Sequence, residues 1–509
     1  MPETGDDDVV DPLVRLGGGL PRHDPDRRAA CGFRTARRCG HDLTAATRDH
    51  NATGLGEQPA NLLGARLVLG AAPDDGHLCC PHECDATAVG AERRRANGGT
   101  LVLGGGFAGS YVAKLLGRRG ATIVSQETFM LYTPLLPEAA SGTLEPRHTV
   151  VPLRQMCRHA ELILGTVEAL DEQERVVSVA SLAGPLEFEY EQLVIALGAV
   201  PRIFPVPGLT EHGRGFKDVA DAIALRNHVL RRLEAAAAAS SAEEIDRELG
   251  FVFVGAGYAG VEGLAELNDL AHAALRYYPT LGSAPQRWLL VDAAPKILAE
   301  IPTGLGDYAA RQLARRGAEI HVRTTLESYD GRTAVLSDGA RVPARTLVWT
   351  AGVRANPLLG GLGLPLDDRG RIVVDELLRV RGRENVWALG DCAAVPNTRT
   401  PGQLDPPTCQ HALRQARRLA KNLVGAPKPY GYRMLGQVAT LGRYKGIADV
   451  LGVRLRGFPG WFVTRTYNLY QLPLVSRKLR VVADWTTSLS FRRDIAELSG
   501  LGHPHRLGE

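Results

Sequence analysis

From Thr100 onward the apolar positions fall into short strand-like runs, each followed by a helical period. Before it, residues 1–97 are rich in Gly, Pro, Asp, Arg and Ala and sustain no period of 2 or 3.6. The segment LVLGGGFAGSYVAKLLGRRG predicts a strand, a glycine turn and a helix, with the strand ATIV (121–124) next. The arrangement recurs at FVFVGAGYAGVEGLAEL (251–267), followed by the strand RWLLVD, which ends in Asp292. Three further strand–glycine elements stand at LVIALGAVP (193–201), TLVWTAGVRA (346–355) and NVWALGDCA (385–393). Strands alternating with helices predict an α/β fold with parallel sheets. LEAAAAASSAEEIDREL (233–249) reads as one Ala-rich surface helix, and the last dozen residues as a frayed tail.

At 509 residues the chain exceeds one ordinary core, so two or three domains are expected. A net charge of +4 is too small for this length to suggest a nucleic-acid binder. No apolar run reaches the roughly 18 residues of a spanning helix, and Glu3, Asp6, Asp7 and Asp8 stand where a signal peptide carries basic residues. A cytoplasmic chain is the expectation. Five of eight cysteines lie before residue 97, and His77, Cys79, Cys80, His82 and Cys84 cluster there. No second ligand pair follows at finger-like spacing, so no metal is expected and 1–97 reads as a disordered extension.

Chemistry enters through the glycines. Gly104, Gly106 and Gly109 form G-x-G-x-x-G between a strand and a helix, and Gly255, Gly257 and Gly260 repeat it. The first glycine permits the tight turn and the second lets the backbone approach a pyrophosphate. The third lets helix and strand pack closely, and the phosphates sit on the helix N-terminus. Two such units in one chain point to two dinucleotides. Asp292 closes the second: a carboxylate there accepts from a ribose 2′-hydroxyl and repels a 2′-phosphate, favouring NAD over NADP. In the first unit Ser125 holds that place, followed by Gln126 and Glu127, and Ser125 and Gln126 are the candidates for the ribose. Asp391, at a strand's C-terminal end beside Gly390, suits the hydroxyls of a flavin's ribityl chain. No C-x4-C follows the first glycine motif, which argues against a disulfide relay. Cys157, Cys392 and Cys409 read as small hydrophobes rather than nucleophiles.

Taken together, these motifs resemble the two-dinucleotide-binding-domain flavoproteins. FMLYTPLLPEAASGTLEPRH (129–148), DAIALRNHVL (221–230), GVEGLAEL (260–267), TLVWTAGVRANP (346–357) and PPTCQHALRQARRLAKNL (406–423) resemble one branch, the type II NADH dehydrogenases, over roughly residues 99 to 495. Ser125 in place of an acid is similar to some fungal and actinobacterial-type members. The resemblance implies non-covalent FAD in the first domain and NADH in the second, with a hydride passed between them and two electrons handed on to a membrane quinone. Thr133, Pro134 and Leu135 would lie against the isoalloxazine, and Ala196, Leu197 and Gly198 would approach FAD. Phe107, Ala108, Val167, Ala351, Gly352 and Cys409 complete the cofactor-binding set. Glu262, on the first turn of the second helix, would orient the nicotinamide, with Glu266 one turn on. Gln410 would hydrogen-bond a quinone carbonyl, in a Thr408-Cys409-Gln410-His411-Ala412 stretch where the family carries A-Q-x-A. Lys445, in GRYKGIADV, would stabilise the quinol anion.

Eight basic residues occur between 454 and 493: Arg454, Arg456, Arg465, Arg477, Lys478, Arg480, Arg492 and Arg493, opposed only by Asp484. Phe458, Trp461, Phe462, Tyr467, Leu469, Tyr470, Leu472, Leu474, Trp485 and Phe491 are interleaved with them. Aromatics beside cations on amphipathic helices suit an interfacial anchor. The expected organisation is an extension (1–97), an FAD domain in two parts (98–215 and 356–440), an inserted NADH domain (216–355) and a C-terminal membrane-associated region (441–509). The expected position is peripheral, on the cytoplasmic face of the cell membrane. Menaquinone is the expected quinone, and the oligomeric state is left open, with a homodimer among the options. Two alternatives stand beside this: a soluble NAD(P)H-dependent flavin reductase, which shares every glycine motif and lacks the quinone pocket, and a signalling flavoprotein like the apoptosis-inducing-factor relatives.

Overall fold

In the computed structural model two units are distinguished, Met1–Cys84 and Asp85–Glu509. Residues 91–282 and 284–497 are described, all within the second. The cysteine–histidine cluster at 77–84 and the terminal tail lie outside the described residues.

The first sheet has eight strands. Five are parallel, in the order Glu161–Asp171, Thr122–Ser125, Thr100–Leu103, Gln192–Ile195, Val386–Ala388. Their centres are apolar on both faces, as a sheet covered on both sides requires: Leu101, Val102, Leu103, Leu193, Val194 and Ile195 are fully buried. Beyond Glu161–Asp171 the sheet continues antiparallel through Val176–Ser181 and Gly184–Glu189. It ends on Glu92–Arg95, which pairs parallel with Gly184–Glu189. A strand therefore precedes Thr100. The Glu-Arg-Arg-Arg strand is exposed throughout and has no apolar face for the pattern to reveal.

The second sheet is four parallel strands in the order Ala318–Val322, Arg287–Asp292, Gly250–Val254, Thr346–Trp349. It is inserted between Gln192–Ile195 and Val386–Ala388 of the first. Trp288 stacks on Phe251 with centroids 4.2 Å apart in its core. The stretch read as one Ala-rich helix is two, Val219–Ala238 and Ala242–Glu248. The break falls where Ser241 caps the second helix, accepting from the Glu244 N–H. A serine that satisfies a free amide at a helix start competes with continuing the first helix.

The C-terminal part is an antiparallel three-stranded sheet, Gly436–Thr440, Gly446–Val450 and Val453–Gly457, followed by the helices Phe458–Gln471 and Val475–Ser490. Among the described residues no helix is long and apolar enough to cross a membrane.

Candidate functional site

Both glycine motifs are built alike. Gly104 and Gly255 take positive φ, +111° and +109°, which L side chains rarely adopt. A Cβ on Gly109 would fall 1.9 Å from the Gly104 carbonyl oxygen, and one on Gly260 would fall 1.8 Å from that of Gly255. A Cβ on Gly106 or Gly257 would meet nothing within 4 Å. These second glycines cap the helices Phe107–Leu116 and Tyr258–Leu275, and neither cap has a side-chain hydrogen bond. Each motif thus presents free amides and a positive helix end to open space, which fits a pyrophosphate. Ala196–Leu197 closes on Gly104 as Thr350–Ala351 closes on Gly255. Gly390, at φ +75°, approaches Ala108.

The acidic position differs between the two units. In the second, Asp292 accepts from the Ala256 and Ala294 N–H groups, so the same carboxylate fixes the glycine loop. In the first, Ser125 is buried against Gly105 and donates to the Glu127 carbonyl at 2.8 Å. Its hydroxyl is turned into its own loop. Gln126 is exposed and donates to Thr166 at 3.3 Å. Val167 is buried in the strand beside it.

Between the starts of the helices Tyr258–Leu275 and Cys409–Val424 lies a cavity of about 320 Å³. Thr133 and Pro134 form one wall, Tyr258 and Glu262 a second, and Cys409 and Gln410 a third. Thr464, Tyr467 and Asn468 of the helix Phe458–Gln471 close it. Glu262 accepts from the Thr440 N–H at 2.7 Å and from its hydroxyl at 3.2 Å. Burial pushes its carboxyl up to about 8 against those two hydrogen bonds, with Glu138 and Glu266 adding repulsion. Gln410 is held at both ends, donating to the Gly436 carbonyl at 3.3 Å and accepting from the Tyr432 hydroxyl at 3.1 Å. Burial raises the thiols of Cys157 to about 12 and of Cys392 and Cys409 to about 11, the last with help from the Asp391 charge. None of the three is a thiolate at neutral pH, in line with their reading as small hydrophobes. Asp391 lines an adjoining cleft that shares Pro407 and Thr408 with the cavity. Burial raises its carboxyl, and Lys217 opposes the rise.

The structure therefore brings Glu262, Thr133, Pro134, Cys409 and Gln410 together. It does not bring Lys445, which sits in the turn between Gly436–Thr440 and Gly446–Val450 and is absent from the cavity wall. The lysine that lines the cavity is Lys217, which sequence reasoning passed over. Its one signal was its place immediately before Asp218, whose side chain caps the helix Val219–Ala238 and so fixes the approach of the chain.

The C-terminal basic residues divide. Arg465 donates to Glu138 at 2.9 Å and Arg493 to Glu266 at 3.0 Å, both with side chains 8% exposed. Trp485 donates to Glu138 at 2.6 Å, and Asp484 lies 2.5 Å from His148. Trp461 and Leu472 are buried. These residues fasten the C-terminal segment to the core and are withdrawn from any surface role. Buried acids call such partners in, since an unpaired one is costly. Phe458, Phe462, Tyr470, Val475, Leu479, Leu489 and Phe491 remain exposed, at 54% or more.

The sequence profile of the family described as pyridine nucleotide-disulphide oxidoreductase matches residues 99–416. A probable NADH dehydrogenase of Dictyostelium discoideum is 31% identical over 389 residues, covering 74% of this chain and 85% of that protein. The type II NADH:quinone oxidoreductase NdhA of Mycobacterium tuberculosis is 30% identical over 431 residues, covering 80% and 89%. Among solved structures, NDH2 from Plasmodium falciparum in complex with NADH superposes with a TM-score of 0.72 at 18% identity, over 80% of this chain and 99% of that one. That likeness speaks for the fold.

Proposed function

The chain belongs to the pyridine nucleotide-disulphide oxidoreductase family and stands among its type II NADH dehydrogenases, and from that premise we propose how its residues divide the work. It is an FAD-dependent NADH:quinone oxidoreductase. The observation that carries the assignment of roles is the shared cavity. Glu262 comes from the helix of the second dinucleotide motif, and Cys409 and Gln410 from the helix behind Asp391, yet all three face one chamber against Thr133–Pro134.

The isoalloxazine of bound FAD supplies the hydride and electron chemistry that side chains lack. The chain's residues bind, orient and insulate. Gly106 and Gly257 leave their helix ends open for the two pyrophosphates, and Asp292 holds the second loop in place while presenting charge against a 2′-phosphate. The Glu262 carboxyl, fixed by Thr440, is neutral at pH 7 and offers a donor to a nicotinamide amide without burying charge. Gln410, locked by Tyr432 and Gly436, offers its amide edge to a quinone carbonyl. Lys217 places a cation on the same wall, where it favours negative charge during electron transfer.

The proposal extends to the membrane. The exposed Phe458 and Phe462, stacked with centroids 6.4 Å apart, and the exposed Tyr470, Val475 and Leu479 form an apolar face. With Arg465 and Arg493 withdrawn, six of the eight C-terminal cations are left to accompany it: Arg454, Arg456, Arg480 and Arg492 exposed, Arg477 and Lys478 half-buried. Such a face suits the headgroup boundary of a bilayer that dissolves the quinone. We assign it to the cytoplasmic face of the cell membrane, with menaquinone as the acceptor.

Anaerobic stopped-flow tests the function. NADH should bleach the flavin of the purified protein, and a short-chain quinone should restore its absorbance rapidly. Bleaching without recovery by quinone would move the function to another acceptor, as in a soluble reductase or a signalling flavoprotein. For the membrane, sedimentation with anionic vesicles should be lost on combining Phe458→Ser, Phe462→Ser and Leu479→Ser, with bleaching by NADH retained. Undiminished binding would refute that face.

A further inference from the structure

The helix Val475–Ser490 carries an exposed apolar stripe. Val475, Leu479, Val482 and Leu489 recur at i, i+4, i+7 and i+14, each 40% exposed or more, and Phe491 follows. Where the stripe ends lies a cleft of about 210 Å³, separate from the cavity that holds Glu262 and Gln410. Arg276 and Tyr277 reach it from the end of the helix Tyr258–Leu275, and Arg443 from the turn between Gly436–Thr440 and Gly446–Val450. Arg492 and Arg493 enter from the chain leaving the helix, and Asp269 completes the charged wall.

We propose that this cleft binds the phosphate of an acidic phospholipid whose acyl chains lie along the stripe. The proposal rests on the membrane reading above and names the lipid contact within it. The charges of the cleft do not balance inside the protein. Asp269 is held by Arg316 at 2.6 Å and by the Arg443 backbone N–H at 2.7 Å. Arg493 is spent on Glu266 at 3.0 Å. Asp494, next in the chain, accepts from the Ala496 N–H and is absent from the cleft wall. Among the described residues no acid pairs with Arg276, Arg443 or Arg492.

Helix capping accounts for part of this gathering. Arg276 Nε donates to the Ala273 carbonyl, and the Arg443 guanidinium donates to the Ser488 carbonyl, each at the C-terminal end of a helix. A guanidinium carries five N–H donors, so most of those on Arg276 and Arg443, and all of those on Arg492, stay uncommitted. Three like charges on one small wall repel one another. An anion with several acceptor oxygens relieves that repulsion and takes the spare donors. Size and neighbours then select its class. The cleft is smaller than the roughly 300–1,000 Å³ of sites that enclose a whole small molecule, so it suits one group of a larger one. Leu489, Phe491, Tyr277 and Tyr444 are exposed, and the Arg443 guanidinium lies 5.0 Å over the Tyr444 ring. Apolar chains, aromatic rings and guanidiniums in that succession match acyl chain, glycerol and phosphate. A free phosphate would leave the stripe in water. A lipid phosphate held by Arg276 and Arg492 ties the second dinucleotide domain and the C-terminal helix to one bilayer.

The test sediments the FAD-loaded full chain with vesicles of phosphatidylcholine, alone or with about one-third phosphatidylglycerol. It is run in about 0.5 M salt, where diffuse attraction between exposed charges is screened. The parent should prefer the phosphatidylglycerol vesicles by roughly tenfold, since charge-assisted contacts in a cleft outlast that screening. Arg276→Gln combined with Arg492→Gln should abolish the preference while bleaching by NADH stays as in the parent. Arg454→Gln combined with Arg480→Gln removes the same charge from other exposed positions and should keep it. Monomeric short-chain phosphatidylglycerol should raise the Tm of the parent and not that of the first double variant. An equal rise with inorganic phosphate would make free phosphate the ligand and overturn the lipid. Loss of the preference in both double variants, or in neither, would overturn the cleft. A parent that sediments with no vesicle would instead remove the membrane reading, and the lipid site with it.

Discussion

Replacing Glu262 by Gln should change how stability depends on pH, by an amount that follows from its surroundings. The carboxyl is held at about 8 in the folded protein, against an ordinary 4.5. Between those values the folded state keeps a proton that the unfolded chain has released, so stability falls as pH rises through the window. One pH unit corresponds to about 1.4 kcal/mol, which sets the full penalty at roughly 5 kcal/mol and the part between pH 5 and 7 at roughly 2–3 kcal/mol. Glu262 faces a cavity that admits water, so we take the lower end, about 2 kcal/mol. An amide oxygen can still accept both Thr440 bonds, so Glu262→Gln removes the titration and keeps the contacts. Urea unfolding of the FAD-loaded protein at pH 5, 6, 7 and 8 measures this, with the buried Trp288 of the same domain as reporter. Other titrations are common to both proteins and cancel in the difference. The variant should gain on the parent by about 2 kcal/mol from pH 5 to 7 and little more above pH 9. A difference that stays flat across the window would refute the burial argument.

Further outcomes follow from the same geometry. Gly109→Ala should yield protein without flavin absorbance, whereas Gly260→Ala should keep its flavin and lose bleaching by NADH, since each new Cβ strikes the loop of its own motif. Asp292→Ser should raise the NADPH-to-NADH ratio of kcat/KM by about tenfold or more while raising KM for NADH, because the carboxylate both repels phosphate and braces the loop. Arg465→Met should cost roughly 3–5 kcal/mol in urea unfolding by leaving Glu138 buried with only the Trp485 N–H. A loss below 1 kcal/mol would mean that Glu138 is neutral and needs no cation.

Both dinucleotide units were legible because their requirements are local. A strand, three glycines at fixed spacing and a helix start lie within some twenty residues, and steric exclusion at Gly109 and Gly260 leaves no other residue that fits. Glu262, expected on the first turn of such a helix, stands one residue beyond it in Tyr258–Leu275 and lines the cavity. The assignments that moved depended on distance. Lys217 and Lys445 look alike in sequence, and only the fold decides which reaches the cavity. Ser125 was read toward a ribose, but its hydroxyl is spent on Glu127, two residues on. The C-terminal basic residues were counted as one set because composition does not distinguish an arginine facing solvent from one facing a buried glutamate. Glu138 and Arg465 are 327 residues apart, and no periodic pattern connects them.

That last separation bears on how the molecule is arranged. The C-terminal segment has two faces with opposite chemistry. Outward it shows Phe458, Phe462, Tyr470 and Leu479; inward it drives Arg465, Trp485 and Arg493 onto Glu138 and Glu266. The helix Phe458–Gln471 also supplies Thr464, Tyr467 and Asn468 to the cavity wall. One helix thus carries the proposed membrane face and part of the chamber where the acceptor must bind. If that face meets the bilayer as proposed, a lipophilic quinone would reach Gln410 along this helix without entering bulk water. The ion pairs beneath fasten this arrangement to the core. Loss of Arg465 or Arg493 would leave a buried acid unpaired and loosen the wall of the cavity together with the anchor. On the proposed membrane reading, damage to the outer apolar face would spare the chamber and remove only its access to the lipid.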